Sequence, residues 1–385
     1  MKRILFWIIL GSFLVSCGAI NPFSVVEGGT VNIGGQDNAT PVPTRPPYTL
    51  SPINARNVNQ IQPLYLIRLK GERTEDLLAI SPDKKWVAVT RKNSNPLNIQ
   101  RLKWNPDGSF VPKGDGFTTF FLYQTTALAF SPDSMHVAVA NGADNSVLIF
   151  SLMDLPDENN KIMLSIGARP QAVVFTKDNK KLIVGTWNSL QLWDYGTASL
   201  EKEIVLDTLD SVCSAAISPD GKILAAGSCT MFHISTWDIE NGYTPLSQLP
   251  DPDSDVYCAD ECLEQRNIFE INSATGEIVS VVDFPNVTTY DPATGKRGAT
   301  VKALATGISP DSIYSVKALG FASDGGILVM AANQKIQFID AKNGDLLWHL
   351  YDPRPTNMLA ISADSTFMVS LNIDGEMFFW GIPTR

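Results

Sequence analysis

Histidine is scarce in this sequence, with three residues in 385. His136, His233 and His349 lie far apart at no spacing that would gather them, so nothing points to a histidine-ligated metal or a histidine general base. Each reads as facing solvent or packing locally. Basic residues are in deficit as well: 30 Lys and Arg stand against 40 Asp and Glu, a formal net charge of −10. Affinity for nucleic acid draws largely on Lys and Arg displacing counterions from phosphates, so nucleic acid is not an expected partner. A bilayer-spanning apolar run is also missing, because the stretch from Ile4 to Val15 is too short to cross comfortably.

What is present is ample material for a core. Hydrophobic residues make up 44% of the chain and charged residues 18%, the composition of a folded globular protein. The length would accommodate two average domains, but closed all-β folds run this long as one unit.

The N-terminus has a distinct character. Lys2 and Arg3 precede the apolar stretch, and Leu14-Val15-Ser16-Cys17 follows it. Cations, a short apolar segment and a small-residue junction are the layout of a secretory leader, here residues 1–16, which is set aside in reading the fold. The tetrapeptide resembles the lipobox of bacterial lipoproteins. That resemblance implies a diacylated Cys17 with the leader cut before it, and so an extracytoplasmic protein of the cell envelope, lipid-anchored to a bacterial membrane. Residues 17–59 are rich in Gly, Pro, Thr and Asn and include Thr40-Pro41-Val42-Pro43-Thr44. They bury too little apolar area to offset chain entropy and read as a flexible tether.

From residue 60 to 385 one pattern repeats seven times: an apolar strand, a Ser-Pro-Asp turn or a relative of it, and a second apolar strand. The copies centre on Asp83, Asp133, Asp178, Asp220, Thr275, Asp324 and Asp364, spaced by 50, 45, 42, 55, 49 and 40 residues. That period suits one four-stranded propeller blade per copy. Pro presets the first turn dihedral, Asp accepts backbone hydrogen bonds, and Gly supplies a positive φ where one is needed. A third strand follows, ending in Trp193-Asp194, Trp237-Asp238, Tyr290-Asp291 or Ile339-Asp340. On these residues the segment resembles WD-repeat β-propellers. It departs from them in lacking the Gly-His pairs that open many WD repeats, and blades 1, 2 and 7 have no clean Trp-Asp. The expected fold is all-β: seven four-stranded antiparallel blades, with Leu64–Leu69 supplying the outer strand that blade 7 lacks and so closing the ring.

Four cysteines remain after Cys17. An oxidising compartment makes disulfides plausible, with Cys258–Cys262 and Cys213–Cys229 the favoured pairs. Asp251, Asp253 and Asp255 alternate as in a calcium loop, but Val256 stands where the tight turn needs Gly and Cys262 where a bidentate Glu belongs, so an acidic surface loop is the preferred reading. The stretch Asp340–Trp348 resembles the docking motif of quinoprotein propellers, whereas a plain strand hairpin accounts for it with less.

No catalytic constellation, metal site or cofactor site can be assembled. The expected function is therefore a non-catalytic scaffold for a protein or peptide, with a propeller enzyme of quinoprotein or lactonase type as the alternative; the propeller is expected to be monomeric. Loops leading into the inner strands and loops joining second to third strands share one face. The candidate binding residues there are Arg73, Arg91, Lys92, Asn141, Asp144, Arg169, Trp187, Phe232 and Arg354.

Overall fold

The computed structural model describes residues 23–25, 48–69, 76–91, 97–111, 117–120, 124–155, 160–206, 211–228, 233–249, 269–280, 286–302, 316–332, 334–352 and 354–384. Arg73, Lys92, Phe232, Cys17, Cys229, Cys258, Cys262 and the Asp251–Asp255 run lie outside them.

Seven antiparallel sheets follow one another along the chain, each in simple up-and-down order. Blade 2 is representative: Thr125–Phe130, His136–Asn141, Ser146–Ser151 and Lys161–Ser165 run from inner to outer strand. Inner strands of the other blades are Asp76–Ile80, Ala172–Phe175, Val212–Ile217, Phe269–Ile271, Val316–Ala322 and Thr356–Ile361. Blade 5, the most divergent in sequence, is nonetheless a four-stranded sheet, with Ile278–Ser280, Asn286–Tyr290 and Arg297–Lys302 completing it.

The second and third strands are buried almost without interruption, as in Val137, Ala138, Val139 and Ala140, all inaccessible to solvent. A strand covered on one side would alternate apolar and polar residues; a continuous apolar run means both faces are covered. The cover is the neighbouring blade. Seven hydrophobic clusters each join two adjacent blades, from Ala88, Ile99, Val139 and Phe150 between blades 1 and 2 round to Val87, Val89, Phe367 and Phe379 between blades 7 and 1. Seven junctions for seven blades is a closed ring.

Closure runs through Gln62–Leu69, which pairs antiparallel with the third strand of blade 7, Glu376–Pro383, from Gln62 opposite Gly381 to Arg68 opposite Glu376. Phe23–Val25 adds a further antiparallel strand outside it, and Leu50–Ser51 pairs with the end of the third strand. Packing begins earlier than the composition suggests. Tyr48, Ile53 and Val58, on the tether side of the boundary expected at residue 59, are buried core residues.

The repeated turn has the chemistry its sequence implies. The hydroxyl of Ser81, Ser131, Thr176, Ser218 or Ser362 donates to the Asp two residues on, at 2.6 to 2.8 Å. The same oxygen accepts the backbone N–H five residues on, and the Asp accepts a second backbone N–H. In blade 5 Asn272 replaces the hydroxyl, its Oδ1 accepting from the N–H groups of Ala274 and Thr275. These turns also join blades. The N–H of Asp83 donates to Ser134 Oγ, that of Asp133 to Asn179 Oδ1, and that of Ser323 to Ser365 Oγ, each reaching into the next blade. Asn272 Nδ2 donates to the Gly325 carbonyl, and Lys84 pairs with Asp364 across the closure. Blade 4 has Gly221 at the linking position, where φ is +78°, so no side chain reaches back to blade 3.

Candidate binding face

The propeller presents two faces. One carries the inner-to-second and third-to-outer turns; the other carries the incoming loops and the second-to-third connections. Of the nine candidate residues, the described ones belong to the second of these, and the structure treats them differently.

Asn141 and Asp144 shape the second-to-third turn of blade 2. Asn141 Oδ1 accepts the Ala143 N–H, and Asp144 accepts from the Ser146 hydroxyl, so their polar atoms serve the turn. Arg169, in the loop into blade 3, is exposed and donates from Nη1 to Gln124 Oε1 at 2.9 Å. Its guanidinium crosses Gly142: a Cβ there would stand 2.9 Å from both Arg169 Cζ and Thr126 Cγ2, so a side chain at this position would displace the guanidinium. Arg169, Gln124 and Gly142 thus form one small polar platform between blades 2 and 3. Trp187, in the second-to-third loop of blade 3, is 61% exposed, the most exposed aromatic side chain described.

Arg354 is not a free cation. Its Nε pairs with Asp374 at 2.6 Å and its Nη1 with Glu376 at 2.9 Å, while Arg68 holds the other oxygen of Glu376 at 3.0 Å. Asn372 Nδ2 bridges Asp352 and Glu376. Burial pushes the Glu376 carboxyl up, but hydrogen bonds from Asn372 and Arg68 and the charge of Arg354 outweigh it and hold the group below the ordinary range. Asp352, more deeply buried and facing that charge, is raised. Arg354 therefore belongs to a lock joining blade 6, blade 7 and the N-terminal strand. Sequence reasoning missed its carboxylate partners because they lie some twenty residues away, with no local signal. Arg91 closes the strand Trp86–Arg91.

On the opposite face a cleft of about 290 Å³ separates the turns of blades 4 and 5, with Ser218, Asp220, Ser273, Thr275 and Asp291 among its walls. Both carboxylates are engaged in their own turns, Asp220 by Ser218 and Lys222 and Asp291 by Thr294 and Ala293, and both are held below the ordinary range by those bonds. Among the described residues no group of three or more His, Cys, Asp or Glu is arranged to hold a metal ion. Asp340–Trp348 forms a third-to-outer hairpin with Gly344 at φ +78°, and Trp348 is 38% exposed rather than laid over a neighbouring blade. Cys213, at a bulge in the inner strand of blade 4, is disulfide-bonded to a partner outside the described residues.

With this geometry in hand, the comparison with known families is specific to one blade. Residues 123–151 match the WD domain, G-beta repeat family, and they span the inner, second and third strands of blade 2. The fold is a WD-repeat β-propeller. No curated protein matches the chain. The Trp-Asp ends have a role that explains their recurrence: Asp194, Asp238, Asp291 and Asp340 accept the N–H groups of the turn that follows. In blade 7 the third-strand indole bonds back to the second strand, Trp380 Nε1 donating to Ser370 Oγ at 2.8 Å. In blade 3 the equivalent indole, Trp193, turns to Gln191 instead.

Proposed function

We propose that this propeller is a non-catalytic binding platform that holds a protein or peptide on its loop face, tethered through a lipid on Cys17 to the extracytoplasmic side of a bacterial membrane. Trp187 carries the reading. A tryptophan left in solvent on a rigid loop is the residue type that dominates interface energies, and the Arg169 platform supplies a second side chain of that kind. WD-repeat propellers generally act as protein scaffolds, which agrees with this use of the face. A propeller enzyme of quinoprotein or lactonase type draws no support from the described residues, since Trp348 lies exposed on an outer strand and the three histidines sit on separate blades.

Crosslinking in native membranes followed by mass spectrometry tests the platform. A recurrent partner captured by the wild type and weakened by Trp187→Ala is expected; a partner set unchanged by Trp187→Ala and Arg169→Ala would overturn the assignment of this face. The anchor is tested separately: Cys17→Ser should move the protein from the membrane to the soluble fraction. The expected disulfides, Cys213–Cys229 and Cys258–Cys262, are checked by non-reducing peptide mapping.

A further inference from the structure

Blade 7 shows what the edge of one of these sheets accepts. Its outer strand Gln62–Leu69 carries Phe23–Val25 as an added antiparallel strand, paired at Ile67, Arg68 and Leu69. Blade 3 has the same construction at that point. Val205 stands opposite Ser189 at the start of the third strand as Arg68 stands opposite Glu376, and the Leu206 N–H donates to the Asn188 carbonyl as the Leu69 N–H does to that of Gly375. A bulge interrupts both outer strands at the same place, passing over Glu201 in one and Leu64 in the other. The stretch that carries the added strand on blade 7 therefore corresponds to Ile204, Val205 and Leu206 on blade 3. There Ser199–Val205 is the last strand of its sheet, and no described residue pairs with its outer side.

An edge of this kind offers hydrogen bonds. Successive residues of an antiparallel strand point their N–H and C=O groups to opposite sides. Leu206 points inward, and with it Ile204, so the groups of Val205 and Glu203 point out from the sheet edge. Sheets commonly guard such an edge with charged side chains. Here those charges are occupied within the propeller: the Lys202 ammonium donates to the Gly242 carbonyl of blade 4, and Glu203 accepts from the Ser189 hydroxyl and the Gln191 amide. What remains in solvent is apolar. Val205 is 64% exposed, and the exposed Trp187 lies two residues before Ser189, the partner of Val205 across the sheet. At the register of Val205 the outer strands of blades 2, 5, 6 and 7 have Ser165, Lys302, Tyr351 and Arg68, each carrying a polar group, so blade 3 alone among them puts an aliphatic side chain there.

We propose that a partner protein binds by adding an extended segment as a fifth, antiparallel strand on blade 3, along Glu203, Ile204, Val205 and Leu206, with an apolar side chain opposite Val205 on the side of Trp187. The occupant is a strand because the edge supplies backbone donors and acceptors at strand spacing. It is antiparallel because that is how blade 7 takes Phe23–Val25 at the same register. Residues directly opposite in such a pair put their side chains on the same face, which sets the apolar neighbour of Val205. The bulge at Glu201 ends the docking stretch, so the added strand is short and Trp187 supplies the anchoring contact. The inference rests on the reading of Trp187 as part of a protein-binding face and adds how the partner is held.

Val205→Pro is the deciding variant. Proline removes the outward N–H and leaves the inward ladder through Ile204 and Leu206 in place, a change that sheet edges tolerate; Val205→Thr keeps the N–H and the β-branched shape. Crosslinking in native membranes is run with the wild type and both variants, and hydrogen exchange of the full-length wild type is then measured free and with the captured partner. The expected result is capture by the wild type and by Val205→Thr, and capture weaker by at least about tenfold for Val205→Pro, since a bond is lost and its acceptor on the partner left unmet. The amides of Glu203 and Val205 should exchange at least about tenfold more slowly in the complex, as newly bonded strand amides do. This second reading uses the wild type alone, so it decides the matter even where the proline variant is less stable. A partner lost on Trp187→Ala but captured equally by Val205→Pro, or one that leaves those two amides exchanging as in the free protein, would overturn the added strand and leave the platform standing. Capture of no recurrent partner by the wild type would overturn both.

Discussion

Blades 5 and 7 are built from the same repeat and could hardly be held more differently. Blade 7 is secured at three levels. Its core junction with blade 1 packs Phe110, Phe367 and Phe379 with Trp104 and Tyr65, ring centroids 5.1 to 6.3 Å apart. The N-terminal strand completes its sheet. The Arg68, Arg354, Asp374 and Glu376 ion pairs fasten the rim. Blade 5 has three-residue inner and second strands, an Asn272 turn in place of the serine hydroxyl, and on its inner strand Glu270, whose carboxyl burial pushes up. A ring fails at its weakest junction, so redundancy belongs where the two chain ends meet, because no covalent bond spans that seam. Blade 5 is joined to its neighbours through the chain itself and tolerates departures.

The sharpest way to break this contrast is Phe379→Ala. It empties a fully buried aromatic site at the closure and should cost about 3–5 kcal/mol, read from urea unfolding. Glu376→Gln should cost less, about 1–2 kcal/mol at neutral pH, because its arginine partners are nearly half exposed. The sign follows from its lowered folded value: the contribution is present above the unfolded carboxylate range and lost as pH falls through the folded value, so variant and wild type should converge in acid.

Blade 5 should respond in the opposite direction. Glu270 is raised on folding, so the native state holds its proton more tightly and wild-type stability falls as pH climbs from the unfolded carboxylate value to about 7. Glu270→Ala should therefore match the wild type near pH 4 and exceed it at pH 8, by about 1–2 kcal/mol. A pH-independent difference would remove the contrast between the blades. Smallest is the turn itself: Ser131→Ala loses a hydroxyl that both donates and accepts and should cost about 1 kcal/mol, while the same change at the exposed Ser199 should cost nothing measurable.

Much of the fold was legible in the residues because a turn is a local object. Ser-Pro-Asp and Trp-Asp specify hydrogen bonds two to five positions away, so their recurrence counted seven blades and located the strand borrowed from the N-terminal side. Even the degenerate copy at Phe269–Gly276 could be found, since Asn272 offers the acceptor the turn needs. The candidate face was less legible. Arg354 looks like an exposed cation until Asp374 and Glu376 are brought against it, and Asn141 and Asp144 look available until their own turn takes their polar atoms. Conversely, nothing in the string Phe269-Glu270-Ile271 marks Glu270 as singular. It becomes so only when the fold closes around it and burial pushes its carboxyl up.

The sequence by itself determined the repeat, the strand order within each blade and the chemistry of every turn, because these depend on neighbours along the chain. Only the tertiary structure decided which charges are spent and which stay available, and where residues before position 60 enter the core. Those outcomes depend on groups tens to hundreds of residues apart, brought together by ring closure, and no local pattern encodes that proximity.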